Sequence, residues 1–389
     1  MAGVFPLDLL DLDVLLTEEE KQIRAVVRQV VDEKVRPHVA DWYEQGSVPV
    51  RLLAEDFGKL GLLGMHLTGY GCTGASAVDY GLACMELEAA DSGVRSLVSV
   101  QGSLAMYAIW RYGSEAQKTR WLPKMATGEL IGCFGLTEPD HGSDPASMRT
   151  RAVRDGDSWA LSGGKMWITN APVADVSVVW ARTEDAIAGF VVPMDTPGVT
   201  AREITHKMSL RASSTGEIVL DDVRLPAEAR LPDAVGLKAP LSCLNEARYG
   251  IVWGALGAAR ECLHTAIEYA RTREQFGRPI GAFQLTQAKL ADMALELQKG
   301  YLLALHLGRR ADAGQLRPEQ VSVGKLNNVR EALAIARQSR TILGANGISG
   351  EYPVMRHANN LESVLTYEGT SEIHQLVIGQ SLTGVSAFA

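Results

Sequence analysis

Phe134-Gly-Leu-Thr-Glu-Pro-Asp-His-Gly-Ser143 lies where the texture of the chain changes. Before it, apolar residues recur at three- and four-residue spacings, as in Ile23, Val26, Val27, Val30, Val31 and Val35. Thr17 and Glu20 are placed as a capping box for that helix, and Pro37 ends or bends it. Similar patterns predict helices over 49–60, 76–91, 99–112 and 115–127. After it come short β-rich runs at 158–161, 175–182, 189–192 and 217–220, separated by turn signals at Asp155-Gly156-Asp157 and Gly163-Gly164. From about Lys238 long helical patterns return, over 247–272, 282–313, 318–343 and 372–382. The order predicts an α+β chain: a helical domain over 1–130, a small antiparallel β-domain over 131–237 and a second helical domain over 238–389.

Composition narrows the function. The 389 residues, 46% of them hydrophobic, can bury a full-sized core. A formal net charge of −8, with both signs interspersed, offers no general surface for nucleic acid or membrane, so an anionic ligand needs a local basic site. Cys72, Cys84, Cys133, Cys243 and Cys262 form no C-x-x-C pair, and buried free thiols in a reducing cytoplasm are expected. No apolar run approaches the roughly 18 residues that span a bilayer. The N-terminal segment, with Asp8, Asp11 and Asp13, lacks the pattern of a secretory or import signal. No histidine stands in a metal-ligand spacing, and neither G-x-S-x-G nor a P-loop is present, so metal, serine-hydrolase and kinase-type chemistry are not expected.

Single motifs leave alternatives open. Gly69, Gly71 and Gly74 match G-x-G-x-x-G, with Glu88 near the position of a ribose-binding acid, but the flanking pattern is not βαβ. The 134–143 stretch could offer backbone N–H groups and Thr137 to a planar heterocycle or a phosphate, or be an ordinary loop. Trp167-Ile-Thr-Asn170, after the expected tight turn, suits either a ring-binding wall or core. Arg273-Glu-Gln-Phe-Gly277 puts cations at a helix C-terminus, where the macrodipole alone favours them. The glycines of Leu343-Gly-Ala-Asn-Gly347 fit a C-cap or close approach to a pyrophosphate. Arg95 and Ser99 fall at i and i+4, with Glu88 across the Gly93 break, a pattern that usually means a surface salt bridge. Glu368, between Tyr367 and Gly369 and just before Thr370 or Ser371 caps the last helix, is either a solvated acid or a desolvated general base.

Together and in this order the motifs resemble the acyl-CoA dehydrogenase family over nearly the whole chain. The nearest pattern is the bacterial glutaryl-CoA dehydrogenase branch, in Asp91-Ser-Gly-Val-Arg-Ser-Leu-Val-Ser-Val100, Cys243-Leu-Asn-Glu-Ala-Arg-Tyr-Gly250 and Thr366-Tyr-Glu-Gly-Thr370. The resemblance implies that the second helical domain is a four-helix bundle, that the protein is a homotetramer, and that FAD lies between domains and across a subunit interface. Phe134, Leu136, Thr137, Gly142 and Ser143, with Trp167, Ile168 and Thr169, would cradle the flavin, and Thr370 would touch it. Arg273, Phe276, Gln284, Thr341, Leu343 and Gly344 would hold the diphosphate and adenosine side from a neighbouring subunit.

Glu368 matches the family's catalytic base, which takes the α proton while a hydride leaves the β carbon for flavin N5. The α C–H is acidic enough only if the thioester oxygen is stabilised as it gains enolate character. Some branches place the base where Ala247 stands here, which cannot serve; the adjacent Glu246 would point from another helix face. Ser143, Leu241, Asn245 and Arg248 match CoA-binding positions, and Gly369 completes the substrate set at the base. Arg95, Ser96 and Ser99 match a clamp for a distal carboxylate, with Glu88 organising the site and Tyr367 beside it. The implied reaction is oxidation of glutaryl-CoA followed by decarboxylation to crotonyl-CoA and CO2, as in lysine and tryptophan degradation, with electron-transferring flavoprotein as acceptor.

Two departures bear on acyl length: Val94 stands where an aromatic is common, and Leu241-Ser242 replaces a usual Phe-Gly pair. A short-chain monocarboxylic dehydrogenase and an acyl-CoA oxidase therefore remain alternatives. A regulatory or nucleic-acid-binding flavoprotein would call for a basic face, and a nicotinamide dehydrogenase would use Gly69 to Gly74.

Overall fold

The computed structural model describes residues 8–388, and expectations resting on residues 1–7 lie outside them. The N-terminal part is built of α1 (Glu18–Lys34), α2 (Val39–Gln45), α3 (Val50–Lys59), α4 (Ala77–Ala90), α5 (Ser92–Ser99), α6 (Tyr107–Tyr112) and α7 (Glu115–Ala126). The expected capping box forms at α1: Glu20 N–H donates to Thr17 Oγ1 at 3.2 Å, and Thr17 N–H donates to Glu20 Oε2 at 2.8 Å. Ser76 and Asp79 do the same for α4. The helices α2 and α5 escape the sequence pattern because seven and eight residues are too few for an apolar stripe to repeat clearly. Where periodicity predicts one plain helix over 99–112, the chain instead runs as a buried π-helix, Val100–Met106, before α6. A wide turn of this kind re-aims side chains and is frequent at functional sites.

The G-x-G-x-x-G stretch is a small antiparallel hairpin, β1 (Thr68–Gly69) with β2 (Cys72–Thr73), in which Gly69, Tyr70, Gly71 and Gly74 all have positive φ. These glycines serve tight turning rather than the strand-to-helix turn of a dinucleotide fold.

The central sheet contains β3 (Gly132–Gly135), β4 (Arg151–Asp155), β5 (Ser158–Thr169), β6 (Val176–Arg182), β7 (Ile187–Pro193), β8 (Val199–Glu203), β9 (Thr215–Pro226) and β10 (Arg230–Val235). Its strand order is β10-β7-β6-β4-β5-β9-β8, with β3 beside β6. Most pairings are antiparallel as expected; β3 with β6, and a single Arg151 to Arg182 bridge between β4 and β6, are parallel. Gly163-Gly164 is not a turn. Both glycines lie inside the twelve-residue β5, whose register against β9 shifts there, so they mark a bulge that the strand runs through. Trp167 accordingly stands near the end of a long strand, not after a tight turn.

The C-terminal part consists of α8 (Lys238–Thr272), the hairpin β11 (Glu274–Gln275) and β12 (Arg278–Pro279), α9 (Gln284–Asp312), α10 (Pro318–Ile342), α11 (Pro353–Thr366) and α12 (Ser371–Thr383). Helices α8 to α11 pack as a bundle, with α12 against α10. The amphipathic α11 was not among the expected helices. No helix is long and apolar enough to cross a membrane among the described residues.

One joint positions the site. A Cβ on Gly254 would stand 2.1 Å from Glu88 Oε2, and one on Gly257 would stand 1.9 Å from the Met85 carbonyl oxygen. Only hydrogen at these two positions lets α4 cross α8 so closely. The joint is also pinned by charge: Glu86, on α4, accepts from Arg260 of α8 at 2.7 Å and from Arg28 of α1 at 3.0 Å.

Candidate active site

Glu368 sits in the four-residue link, residues 367–370, between α11 and α12. Its φ is 54° and that of Gly369 is 95°, both left-handed, which a non-glycine residue adopts only under restraint from its surroundings. Gly369 is required here, because an added Cβ would stand 3.1 Å from His374 Nε2 and 3.2 Å from Arg248 Nη2 besides meeting the unfavourable φ. Thr370, not Ser371, caps α12, its Oγ1 accepting the Ile373 N–H at 3.3 Å. Glu368 Oε2 is buried without a hydrogen-bond partner among the described residues. Burial pushes its carboxyl above the ordinary range, opposed by the nearby cations Arg95, Lys325 and Arg248. A buried, unpartnered carboxylate oxygen of this kind suits a proton acceptor better than a structural acid.

Spacing alone would allow a surface salt bridge at Arg95, but the pair is an interior one. Arg95 is 1% exposed and Glu88 0%, and Arg95 Nε donates to Glu88 Oε2 at 2.6 Å. Arg95 Nη2 donates to the Tyr367 hydroxyl, and Ser96 Oγ lies 3.4 Å from that hydroxyl. Surface pairing fails as a description because α5 is wholly buried, its start anchored by Asp91. The Asp91 carboxylate accepts Gly93 N–H at 2.7 Å and Asn360 Nδ2 at 2.8 Å and pairs with Arg356 at 3.2 Å, tying α5 to α11. Ser99, the last residue of α5, is buried too. The structure thus brings Glu88, Arg95, Ser96 and Tyr367 into one contact group beside Glu368.

From α8, Arg248 Nε donates to the Glu368 carbonyl oxygen at 2.7 Å, and its Nη1 donates to Asn245 Oδ1 at 3.1 Å. Asn245 and Glu246 line a cavity of about 470 Å3 shared with His66, Tyr107, Ser242 and Arg317. Burial pushes the Glu246 carboxyl up to about 7. Leu241, half-buried, lies one turn before Asn245 on the same helix, and Ser143 is exposed in the loop after β3.

The residues expected to hold a cofactor fall in two patches. In the first, Met166 N–H donates to the Thr137 carbonyl oxygen at 2.9 Å, and buried Lys165 donates to the Leu136 carbonyl oxygen at 3.1 Å and to Glu138 at 2.8 Å, locking the 134–143 stretch onto β5. Phe134, Leu136 and Ile168 are core, Thr169 is half-buried, and Gly142 has open space where a Cβ would stand. Trp167 is 59% exposed at a φ of 62°, an indole held out of the core. An exposed aromatic beside a hydroxyl and an open loop fits a planar heterocycle. In the second patch Arg273 caps the end of α8, Phe276 is 95% exposed at the tip of the β11/β12 hairpin, and Gln284 opens α9. Thr341 and Gly344 are exposed where α10 gives way to a short 3-10 turn, while Leu343 is core.

Two contributors were not predicted. Lys325 and His374 are 2% and 1% exposed. Lys325 shares an i, i+4 stripe with Val321 and Val329, so a charged residue at an apolar position was the available signal. His374 Nδ1 lies 3.0 Å from Ser322 Oγ, and burial pushes its imidazole down to about 3.

These features define a class. The chain belongs to the acyl-CoA dehydrogenase family: the family models of the N-terminal, middle and C-terminal domains match residues 17–129, 133–223 and 234–383. Within that family it is similar to glutaryl-CoA dehydrogenase from Mycobacterium smegmatis, at 71% identity and a TM-score of 0.97 over 98% of this chain and 99% of that one. A glutaryl-CoA dehydrogenase from the same organism, in complex with FADH2, is 64% identical with a TM-score of 0.98 over the whole of both chains. The short-chain specific acyl-CoA dehydrogenase of Bos taurus mitochondria is 35% identical over 95% of this chain and 91% of its own length.

Proposed function

We propose that this protein oxidises glutaryl-CoA with FAD as its cofactor and decarboxylates the glutaconyl intermediate to crotonyl-CoA and CO2, with Glu368 as the base. The observation that carries the reading is the buried Arg95 beside Glu368, held by Glu88 and Tyr367. A distal carboxylate entering this interior needs a cation, since an unpaired buried charge costs several kcal/mol. The similarity to glutaryl-CoA dehydrogenases from Mycobacterium smegmatis supports the same substrate.

Each residue has a task. Glu368 takes the α proton, its raised pKa making it the stronger base. The backbone N–H at the base, that of Glu368, would stabilise the thioester oxygen as charge grows on it. Leu241, Asn245, Arg248 and Ser143 would receive the CoA portion, and Ser96 and Ser99 would complete the acyl clamp. Phe134 to Ser143, Trp167 to Thr169 and Thr370 would hold the flavin ring side, and Arg273, Phe276, Gln284, Thr341, Leu343 and Gly344 of a neighbouring copy its adenosine side. FAD held by these residues would supply the hydride acceptor for the β carbon. After CO2 departs, the γ carbon needs a proton, and the protonated Glu368 can return one.

The exposed Phe276 and Leu285, 95% and 80% accessible, support assembly into a homotetramer that covers them. Electron-transferring flavoprotein is the proposed acceptor and the cytoplasm the proposed location, in keeping with free cysteines of which all but the half-buried Cys72 are buried.

A second reading has its own support. Glu88 already neutralises Arg95, which would suit a short monocarboxylic acyl chain. Turnover of glutaryl-CoA and butyryl-CoA by the yellow holoenzyme with an artificial acceptor separates the two. Preference for glutaryl-CoA is expected, and preference for butyryl-CoA would overturn the proposal.

A further inference from the structure

The link that carries Glu368 has its backbone carbonyls gripped by two buried cations. Lys325 Nζ, on α10, donates to the Tyr367 carbonyl oxygen at 2.5 Å and to the Gly369 carbonyl oxygen at 2.6 Å. Arg248 Nε, on α8, takes the Glu368 carbonyl oxygen between them. All three carbonyls from 367 to 369 are therefore bound by side chains rather than by helix or sheet. The Lys325 ammonium also lies 5.9 Å from the centroid of the Tyr367 ring. A 2%-exposed lysine is expensive to hold, and nothing in the packing of α10 requires one: Val321 and Val329 on the same stripe are ordinary core.

We propose that Lys325 is a positioning residue for the base: by fixing the peptides on either side of Glu368 it holds the left-handed link that aims the carboxylate at the substrate, and its charge favours the ionised base. The inference rests on Glu368 being that base.

The electrostatic half follows from what faces Lys325 on every side. Glu368 and the Tyr367 ring come from the link, Arg248 from α8, Arg95 with its partner Glu88 from α5 and α4, and His374 from α12. Burial, Arg248 and Arg95 all disfavour the ammonium, Glu368 alone of these groups favours it, and the balance pushes Lys325 down to about 7. Linkage is mutual, so Lys325 lowers the Glu368 pKa. Replacing it with a neutral side chain removes two carbonyl donors and one cation. The link then relaxes from its left-handed geometry, and the base becomes harder to ionise.

The test compares FAD-loaded Lys325→Met, Lys325→Gln and Lys325→Arg with the parent enzyme, by kcat and KM on glutaryl-CoA across pH. In Lys325→Met kcat is expected to fall roughly 10- to 100-fold, the effect of a small misplacement of a reacting group, with KM little changed. The acid limb of its kcat/KM profile should move upward by about one pH unit, as for loss of one nearby charge. Lys325→Arg should restore most of the limb's position because it keeps the cation. If Lys325→Met does not fold, Lys325→Gln, which retains a donor, carries the same comparison. Near-normal kcat with an unmoved acid limb in either neutral variant, in an enzyme that Glu368→Gln silences, overturns the role of Lys325 alone. Near-normal turnover by Glu368→Gln overturns the base assignment beneath it.

Discussion

Arg95 and Glu88 meet in the interior, Nε to Oε2 at 2.6 Å, and neither is more than 1% exposed. The other end of the guanidinium is held by the Tyr367 hydroxyl, one residue before Glu368. The group that would recognise a distal carboxylate and the group that would take the α proton are thus linked through a single side chain.

Removing that guanidinium should discriminate between substrates. Arg95→Ala is expected to lower kcat/KM for glutaryl-CoA roughly 10²- to 10³-fold, as when one partner of a buried charge pair is truncated, and to lower it far less for butyryl-CoA. Steady-state kinetics on both substrates checks this, and equal losses would count against the clamp.

The close crossing of α4 and α8 makes Gly254 sensitive. Its added Cβ would stand 2.1 Å from Glu88 Oε2, so Gly254→Ala must displace the ion pair or separate the helices. A loss of about 1–3 kcal/mol in unfolding free energy is expected, the usual effect of overpacking, together with reduced turnover of glutaryl-CoA. Denaturant unfolding reads the first quantity, and an unchanged midpoint would show that the crossing yields freely.

Glu86 should link stability to acid. Burial raises its pKa, but Arg260 and Arg28 outweigh burial and hold it down at about 2, against an ordinary 4.5. A carboxyl depressed on folding adds stability above its unfolded pKa and loses it as pH falls through the folded value, so the window here runs from about 4.5 down to about 2. Glu86→Gln, which deprives two guanidiniums of their shared carboxylate, should destabilise the protein by about 3–5 kcal/mol at neutral pH. The gap from the parent should narrow across that window in pH-dependent unfolding, and a constant gap would contradict the assignment.

The base should also show itself in the pH profile. Burial raises the Glu368 pKa above 4.5, and proton abstraction needs the ionised form, so kcat/KM for glutaryl-CoA should fall as pH drops through a value above 4.5. A limb at or below that value would indicate a solvated acid. Glu246→Gln should leave the limb in place, because Glu246 faces the cavity with Asn245 rather than the 367–369 link.

Much of this is legible in the sequence alone. The change of texture near Phe134, the capping box at Thr17 and the order helix, sheet, helix all follow from local periodicity, which tertiary packing here reinforces. Gly163-Gly164 misled because a glycine pair inside a bulged strand and one in a turn look alike without the partner strand. The spacing of Arg95 and Glu88 by itself suits a surface pair as well as a buried one, since helical spacing says nothing about what covers a helix; here α8 and α11 do. Lys325 shows locally only as a charge on an apolar stripe; its role is not legible there, because its partners are backbone carbonyls forty-two and forty-four positions away, a contact no local pattern encodes.

The most direct test of the proposed reaction follows glutaryl-CoA labelled with ¹³C in the distal carboxyl through turnover by the FAD-loaded enzyme. Labelled CO2 and crotonyl-CoA are expected in equal amounts, both lost in Glu368→Gln. Accumulation of glutaconyl-CoA without labelled CO2, or no oxidation of glutaryl-CoA at all, would contradict it.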